Sequence, residues 1–523
     1  MQLQNFIAHR WQPGTGTGST LIDATLGIEL ARATSDGLDL AAALDFARRT
    51  GGPALRALSF SERGALLGRI ADVLAANRTA YLQIALENSG SPESDAAIDI
   101  DGSIYTLKYF ARLGASLGNA RYFQDGDFTQ LSKDGAFGAT HLFLPLEGVA
   151  VLVNAFNFPA WGLWEKAAPA LLSGVPVFAK PATSTALLAY RMVHDVVAAD
   201  VLPPGALSLV CGSARSLTEH LGFNDVLAFT GSAETARGLR ARPAVLERGV
   251  RVNVEADSLN AAILGPDASP DSEEFKLFVR EVVREMTIKA GQKCTAIRRL
   301  LVPAAHAAAV AESVAASLER VVVGNPRDAS VRMGPLVNAA QRASVEQGIA
   351  ALARVAERVT PVGPIQPVGA DALVGAFVAP TLFWSRDPLA ASSQAVHDLE
   401  VFGPVATIVP YADEAQAYAL AERGLGSLVA SIFSADEDFL ARAALRLGVS
   451  HGRVLGVNAA IGKIHTGHGN AMPQCLHGGP GRAGNGEELG GLRALALYHR
   501  RCVIQGTAAV STRLGAAAAR WNP

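Results

Sequence analysis

At 523 residues the chain exceeds one ordinary domain and leaves room for two to four lobes with ample core. Its 49% hydrophobic and 18% charged content is that of an ordered globular protein, and a net charge of -2 with pI near 6.6 excludes the basic field that nucleic acid or an acidic membrane surface would need. Cys211, Cys294, Cys475 and Cys502 form no C-x-x-C pair, no apolar run reaches bilayer length, and Met1 to Trp11 lacks a secretory pattern, so the expected setting is the reducing cytoplasm with no bound metal.

Residues 36–120 read as helices rich in Ala and Leu. They divide into Leu38 to Arg49, Ser61 to Asn88 with Ser61-Glu62-Arg63 as its cap, and Ser94 to Gly114 after Pro92. The polar stretch Arg121 to Asp134 leads into Ala139 to Leu144, whose alternation predicts an edge or exchanged strand. From Val149 the texture changes. Val149 to Asn154, Val175 to Lys180, Ala206 to Val210, Asp225 to Thr230 and Arg251 to Val254 read as strands, and each but the last precedes a helix-like stretch. That rhythm predicts βαβ units in a doubly wound parallel α/β sheet. Such sheets take ligands at the carboxyl ends of their strands, so the loops after Asn154, Lys180, Val210 and Thr230 are the cofactor candidates, with Phe156 in the first and Gly212 in the third. Gly231 and Ser232 open a helix and offer free amides to a pyrophosphate, although the chain lacks the G-x-G-x-x-G fingerprint there.

A second alternating region runs from Asn260 to about Gly448, with helices over Phe275 to Lys289, Ala304 to Glu319 and Asn338 to Glu357. Its strand-like runs are Arg299 to Val302, Ala376 to Val378, Val405 to Pro410 and Leu428 to Phe433, the pattern of a second α/β lobe. Gly467 to Gly491 is dense in glycine and carries His468, His477, Glu487 and Glu488, as an irregular loop over a site would. Leu495 to Ile504 alternates like a strand, and with 139–145 it suggests strand pairing between subunits.

The chemistry is expected at Lys289-Ala290-Gly291-Gln292-Lys293-Cys294-Thr295. An amphipathic helix bearing Phe275, Phe278, Val279, Val282 and Met286 on one stripe delivers the chain to a Gly-Gln turn, and a strand follows. Cys294 therefore sits at a helix-to-strand corner facing a cleft. A lone cysteine is more often an inert core residue, and only its company changes that reading. Lys293, its neighbour, either favours a thiolate or points to solvent.

That company is specific. Asn154-Ala155-Phe156-Asn157-Phe158-Pro159, Lys180-Pro181-Ala182-Thr183, Phe229-Thr230-Gly231-Ser232, Val254-Glu255, Gly291-Gln292-Lys293-Cys294 and Glu400-Val401-Phe402-Gly403-Pro404-Val405 occur in the order and near the spacings of the aldehyde dehydrogenase superfamily, which the chain resembles through these motifs and in its overall length. Val254 to Asn260 and His477 to Gly491 narrow the likeness to the branch that oxidises coenzyme A-linked semialdehydes in aerobic aromatic-ring degradation. The resemblance implies a cofactor-binding lobe from 1–127 and 147–259, a catalytic lobe from 260–480, and oligomerisation strands at 128–146 and 492–510, in a homodimer.

It also implies roles. Cys294 is the nucleophile, and the Asn157 amide and the Cys294 N–H receive the oxyanion. Outside that pattern, Asn157 reads equally as a turn residue bonding its own backbone. Glu255, its pKa raised at an apolar strand end, is the base that activates water, or else an ion-paired strand terminus. Glu488 relays protons and Lys166 tunes thiol and base; for both a structural role stays open. Lys180 reaches the adenosine ribose, while Glu400 and Phe402 hold the nicotinamide ribose and ring. Asn154, Phe156, Gly212, Gly231 and Ser232 complete the cofactor set. Two departures matter: Ala236 replaces a family glycine, and Thr183 stands where NAD-preferring relatives place a glutamate. A hydroxyl there can donate to a 2'-phosphate that a carboxylate would repel, so the expected cofactor is NADP. The expected partner is a small CoA-linked aldehyde. Alternatives are a dehydrogenase for a free semialdehyde, an acylating enzyme that uses free CoA, which the glutamate at 255 argues against, and a non-catalytic binding protein, which the intact Cys294, Glu255 and Asn157 set argues against.

Overall fold

Short runs rich in Val, Ile and Leu that alternate with amphipathic helices can bury themselves only as a parallel sheet covered on both faces. The computed structural model, which describes residues 1–523, contains two such sheets of seven strands each. The first runs in spatial order Arg251–Glu255, Val226–Thr230, Ala150–Val153, Val177–Lys180, Leu207–Leu209, Gln4–Ile7 and Arg10–Pro13. Five strands are parallel, and the amino-terminal pair, absent from the sequence reading, is added antiparallel at one edge through Phe6 opposite Leu209. The second sheet runs Glu357–Arg358, Thr381–Trp384, Val405–Tyr411, Arg299–Pro303, Ala261–Leu264, Ser427–Phe433 and His451–Val457. Its central strands are wholly buried, as in Ala261–Leu264 and Ser427–Phe433, where each fully buried Val, Leu or Ile side chain contributes about 1.5–3 kcal/mol.

Several expected elements differ, each for a local reason. Ser61 to Asn88 is two helices, Phe60–Ala76 and Arg78–Ser89, broken at Asn77. The cap is Ser59, not Ser61, because Ser59 Oγ accepts from the Glu62 N–H while Glu62 Oε2 accepts from the Ser59 N–H at 2.7 Å, a reciprocal pair that satisfies two orphan donors. Leu38 to Arg49 is a shorter helix, Leu40–Phe46, widening into a turn that leads to Gly52–Ala57. Ala376 to Val378 is buried but not a strand, and the sheet is joined instead by Thr381–Trp384.

The outlying strands pair with one another within the chain. Phe137–Pro145 lies antiparallel to His499–Thr507 of the same chain, with His499 opposite Pro145 and Thr507 opposite Phe137. Phe123–Gln130 and Ala519–Arg520 complete a four-stranded sheet. The polar stretch after Arg121 is thus largely a strand, and it crosses the expected 127/128 boundary. His499–Thr507 remains an open edge with alternate residues exposed. No helix is long and apolar enough to cross a membrane.

Candidate active site

Register in the first sheet determines what lies at its carboxyl edge. Val153 is level with both Phe229 and Lys180, and Thr230 with Glu255, so the loops leaving these strands gather at one rim. A cavity of about 570 Å³ opens there, lined by Asn154, Phe156, Asn157, Lys180, Thr183, Gly231, Ser232, Glu255, Cys294, Glu400 and Phe402 among others. Its wall carries buried polar atoms with no protein partner: both side-chain heteroatoms of Asn154, Thr230 Oγ1 and Glu400 Oε1. Burial, with Asp257 adding to it and Arg298 opposing it from 3.8 Å, holds the Glu400 carboxyl up at about 7. A cavity of that size with unspent donors and acceptors fits a dinucleotide.

Cys294 stands between this groove and a second, narrow cavity of about 50 Å³ lined by Asn157, Phe158, Trp161, Glu165, Thr295, Ala471 and His477. Its loop is built to be rigid. Lys289 and Ala290 both have φ 52°, an unusual pair of left-handed side-chain-bearing residues, and Gly291 follows at φ 69°, where an added Cβ would fall 2.2 Å from the Gly403 carbonyl oxygen. Buried Arg298 then ties the loop down, donating to the carbonyls of Gly403, Gly291 and Lys293 at 2.7, 2.9 and 3.2 Å. Asn260 donates to the Cys294 carbonyl at 2.7 Å. The Cys294 N–H donates to no backbone carbonyl, and Asn157 is only 7% exposed beside it.

A glycine-rich hairpin closes the site from the far side. Leu476–Gly478 pairs with Glu487–Leu489 so that His477 is opposite Glu488. Gly486 allows this hairpin to lie against the strand ending in Glu255, since a Cβ there would come within 2.3 Å of the Val254 carbonyl oxygen. His477 Nε2 approaches Glu255 Oε2 at 3.2 Å. Asn253 donates to Glu488 Oε1 at 3.1 Å, and Lys166 Nζ sits 2.8 Å from Glu165 and 2.9 Å from Glu488. Burial disfavours the Lys166 ammonium, but Glu165, Glu488 and Glu255 outweigh it and hold its pKa well above the usual value. Burial pushes the Glu488 carboxyl up to about 7. Glu255 goes the other way: burial opposes its charge, yet His477, Lys166 and the neighbouring thiol hold its carboxyl down at about 2. The Cys294 thiol is raised well above its usual value, first by burial and then by that carboxylate. At rest the pair is therefore a thiol beside a carboxylate.

The sequence profile of the aldehyde dehydrogenase family matches residues 21–501. The chain belongs to the aldehyde dehydrogenase family. It is 55% identical over 481 residues to 3,4-dehydroadipyl-CoA semialdehyde dehydrogenase of Aromatoleum evansii, a match covering 92% of this chain and 93% of that enzyme. It is also 26% identical over 456 residues to an aldehyde dehydrogenase of Paracoccus denitrificans, covering 86% of this chain and 85% of that one. Among solved structures, a putative aldehyde dehydrogenase from Burkholderia cenocepacia superimposes with TM-score 0.81 at 25% identity, covering 97% of each chain. Betaine aldehyde dehydrogenase from Staphylococcus aureus in complex with NAD+ shares the fold at TM-score 0.82 and 22% identity, covering 97% of this chain and 95% of that one.

With the aldehyde dehydrogenase fold in hand, the expected residues sort clearly. Asn154, Phe156, Asn157, Lys180, Thr183, Gly231, Ser232, Glu255, Cys294, Glu400 and Phe402 all line the larger cavity. Lys166 and Glu488 stand behind Glu255, buried and away from either opening. Gly212 does not line the cavity. It is held at φ 134° against Thr34 and Ser35, where a Cβ would come within 2.7 Å of a backbone nitrogen.

Three further expectations need correction. Lys293 neither faces solvent nor tunes the thiol; it is buried in a two-pronged ion pair with Glu285 at 2.8 and 2.9 Å. The amides at the Ser232 helix end are only partly free: Gly231 N–H is spent on the Glu255 carbonyl at 3.1 Å and Ala233 N–H on Asp257 Oδ1 at 2.9 Å, while Ser232 N–H donates to no backbone carbonyl. The pKa of Glu255 is lowered, not raised, because His477 supplies a partner that the strand reading could not see. His477, Arg298, Asn260 and Glu165 were missed as site residues. The signal for His477 was its place in the hairpin next to Glu488; Arg298 and Asn260 gave none.

Proposed function

We propose that this aldehyde dehydrogenase family member oxidises a CoA-linked aliphatic semialdehyde, of the 3,4-dehydroadipyl-CoA semialdehyde type, to its carboxylic acid with NADP, through a thioester on Cys294. The observation that carries the reading is the meeting of Cys294, Glu255 and Asn157 at the neck between a dinucleotide-sized groove and a slim pocket. The aldehyde carbon enters from the slim side, and the Cys294 sulfur adds to it while the thiol proton passes to Glu255. The resulting oxyanion is received by the Asn157 amide and the Cys294 N–H. The dinucleotide, when bound, supplies the chemistry of accepting hydride. Cys294 then holds the acyl group as a thioester, and Glu255, having passed its proton into the buried cluster as Glu488 releases its own toward solvent, takes a proton from the attacking water. Sulfur leaves and regains a proton, and the carboxylate is released.

The loops at the rim of the first sheet would hold the nucleotide, with Lys180 and Thr183 at the adenosine ribose and Asn154, Phe156, Gly231 and Ser232 between, while Glu400 and Phe402, from the loop before Val405–Tyr411 of the second sheet, would meet its nicotinamide end. The two seven-stranded sheets act as cofactor-binding and catalytic lobes, and the open edge at His499–Thr507 supports pairing in a homodimer. Thr183 supports NADP because its hydroxyl can donate to a 2'-phosphate. The CoA-linked substrate is supported by likeness to the Aromatoleum enzyme and by a pocket of about 50 Å³ that admits a thin acyl chain while its carrier stays outside.

An aldehyde panel with and without attached CoA, run against NADP and NAD with product analysis, tests the reading. Free carboxylate, formed with a higher specificity constant for the CoA-linked aldehyde and for NADP, is the expected result. Acyl-CoA formation that requires free CoA would overturn the hydrolytic step. Equal efficiency with simple aliphatic aldehydes would remove the substrate, and preference for NAD the cofactor.

A further inference from the structure

The proton inventory behind the thiol is uneven. Oxygens of Glu165, Glu255 and Glu488 lie within 4.8 Å of one another, all shielded from bulk water. Three such carboxylates cannot all be charged without nearby cations, and only two cationic side chains face them, Lys166 from the Trp161–Leu172 helix and His477 from the hairpin. The groups packed directly on the cluster are otherwise neutral, namely Asn253 from the neighbouring strand, the Tyr498 hydroxyl, which donates to the Lys166 carbonyl, and the protonated Cys294 thiol, while beyond Glu165 the buried Asp99 carboxyl feels its charge and faces Lys289 at 3.9 Å. Lys166 is committed to Glu165 and Glu488 at 2.8 and 2.9 Å. The cation in contact with Glu255 is His477, at 3.2 Å.

We propose that His477 is a positioning residue whose imidazolium keeps Glu255 ionised beside the Cys294 thiol, so that the one proton the buried carboxylates must share rests on Glu488 and not on the base. The inference rests on the reading of Glu255 as the base and extends it to what makes that base available. The opposed directions agree: Glu255 is held down at about 2, Glu488 up at about 7, and His477 above its ordinary value, where burial opposes its charge and Glu255 restores it. Two like groups driven apart in this way can take the two roles of acceptor and reservoir. Without His477, Glu255 would face Glu165 and Glu488 with no cation in contact, and the proton would move onto it. The thiol would then lose its acceptor near neutral pH.

The test is the rate at which iodoacetamide labels Cys294, followed by mass from pH 5 to 9 in the wild type and in His477→Gln, which keeps a donor but loses the charge, alongside kcat for aldehyde oxidation. In the variant, labelling at pH 7 is expected to fall at least about tenfold as an acid limb, which in the wild type lies below this range because Glu255 is held down at about 2, moves up by several pH units into both profiles. In His477→Ala, added imidazole is expected to restore labelling only where it is protonated. An unmoved acid limb with a uniform loss at every pH would reduce His477 to packing and overturn the proposal, as would loss of fold in Gln, Asn and Ala variants alike. A wild type that labels as expected yet oxidises no aldehyde would sink the proposed function and leave this assignment standing. A Gln variant with the wild-type profile would do the reverse.

Discussion

Cys294 is approached from two sides, and the two sides handle their polar groups in opposite ways. On the nucleotide side the groove of about 570 Å³ leaves Asn154, Thr230 and Glu400 with buried heteroatoms that no protein group satisfies. On the far side a pocket of about 50 Å³ is backed by Lys166, Glu165, Glu488, Asn253 and His477, whose charges and amides are paired mainly with one another, leaving Trp161 Nε1 and one oxygen of Glu255 as its unpaired atoms. A buried polar atom left unpaired costs about 1–3 kcal/mol, so a fold retains a row of them chiefly where a ligand repays the cost. The groove is therefore a binding surface waiting for its partner. The far wall is a cluster of charges whose partners are mostly supplied by the protein itself.

The sharpest way to break this division is at the thiol. Cys294→Ala should remove the nucleophile while leaving the groove intact, so oxidation is expected to fall by on the order of 10⁴-fold or more while NADP binding, read by fluorescence titration, changes less than about twofold. If nucleotide binding were lost as well, the two sides would not be separable. Asn157 tests the neck from the other direction. Asn157→Ala should cost about 10²–10³-fold in kcat with a much smaller change in KM, since its amide is needed where charge develops and not where substrate is held. A change confined to KM would make Asn157 a binding residue.

Sequence alone reaches the groove much better than the far wall. Strand ends at Asn154, Lys180, Thr230 and Glu255 follow from a repeated rhythm, and adjacent parallel strands put them at one rim whatever the details. The Cys294 stretch is legible because an amphipathic stripe runs straight into a glycine turn. The far wall depends on contacts between distant segments: His477 meets Glu255 only because glycines let the hairpin lie against Val254, and Lys293 turns from the thiol because Glu285 lies one helix face away. Neither is a pattern along the chain. The same holds for the amino-terminal strands, which the sequence reading does not contain and which add to a sheet edge, and for Asp257, whose side chain takes one amide of a helix end.

The groove makes a finer prediction through Thr183. Thr183→Glu should place a carboxylate where a 2'-phosphate would lie and where a ribose hydroxyl would welcome it, moving the NADP-to-NAD ratio of specificity constants toward NAD by about 10- to 100-fold, the worth of one charged hydrogen bond made or lost. Activity with the better nucleotide should change little, because the far wall is untouched. A ratio that does not move would place discrimination elsewhere in the groove.

The smallest effect concerns that charge cluster, and it is read in stability. Glu488 keeps its proton in the fold up to about pH 7, whereas the same side chain in the unfolded chain ionises near 4.5. Between those two values the folded state binds the extra proton, so this carboxyl makes the protein less stable as pH rises, and below both values the penalty is absent. Glu488→Gln keeps the shape and removes the titration. Relative to the wild type, the variant should therefore gain on the order of 1 kcal/mol between pH 4.5 and 7.5 in urea denaturation, discounting for the share that Lys166 recovers by pairing with the ionised form. Glu255 titrates in the opposite sense and far lower, so it does not contribute within that window. A difference that stays flat across the window would mean that Glu488 is already ionised in the fold, and the buried carboxylates would then need a cation beyond Lys166 and His477.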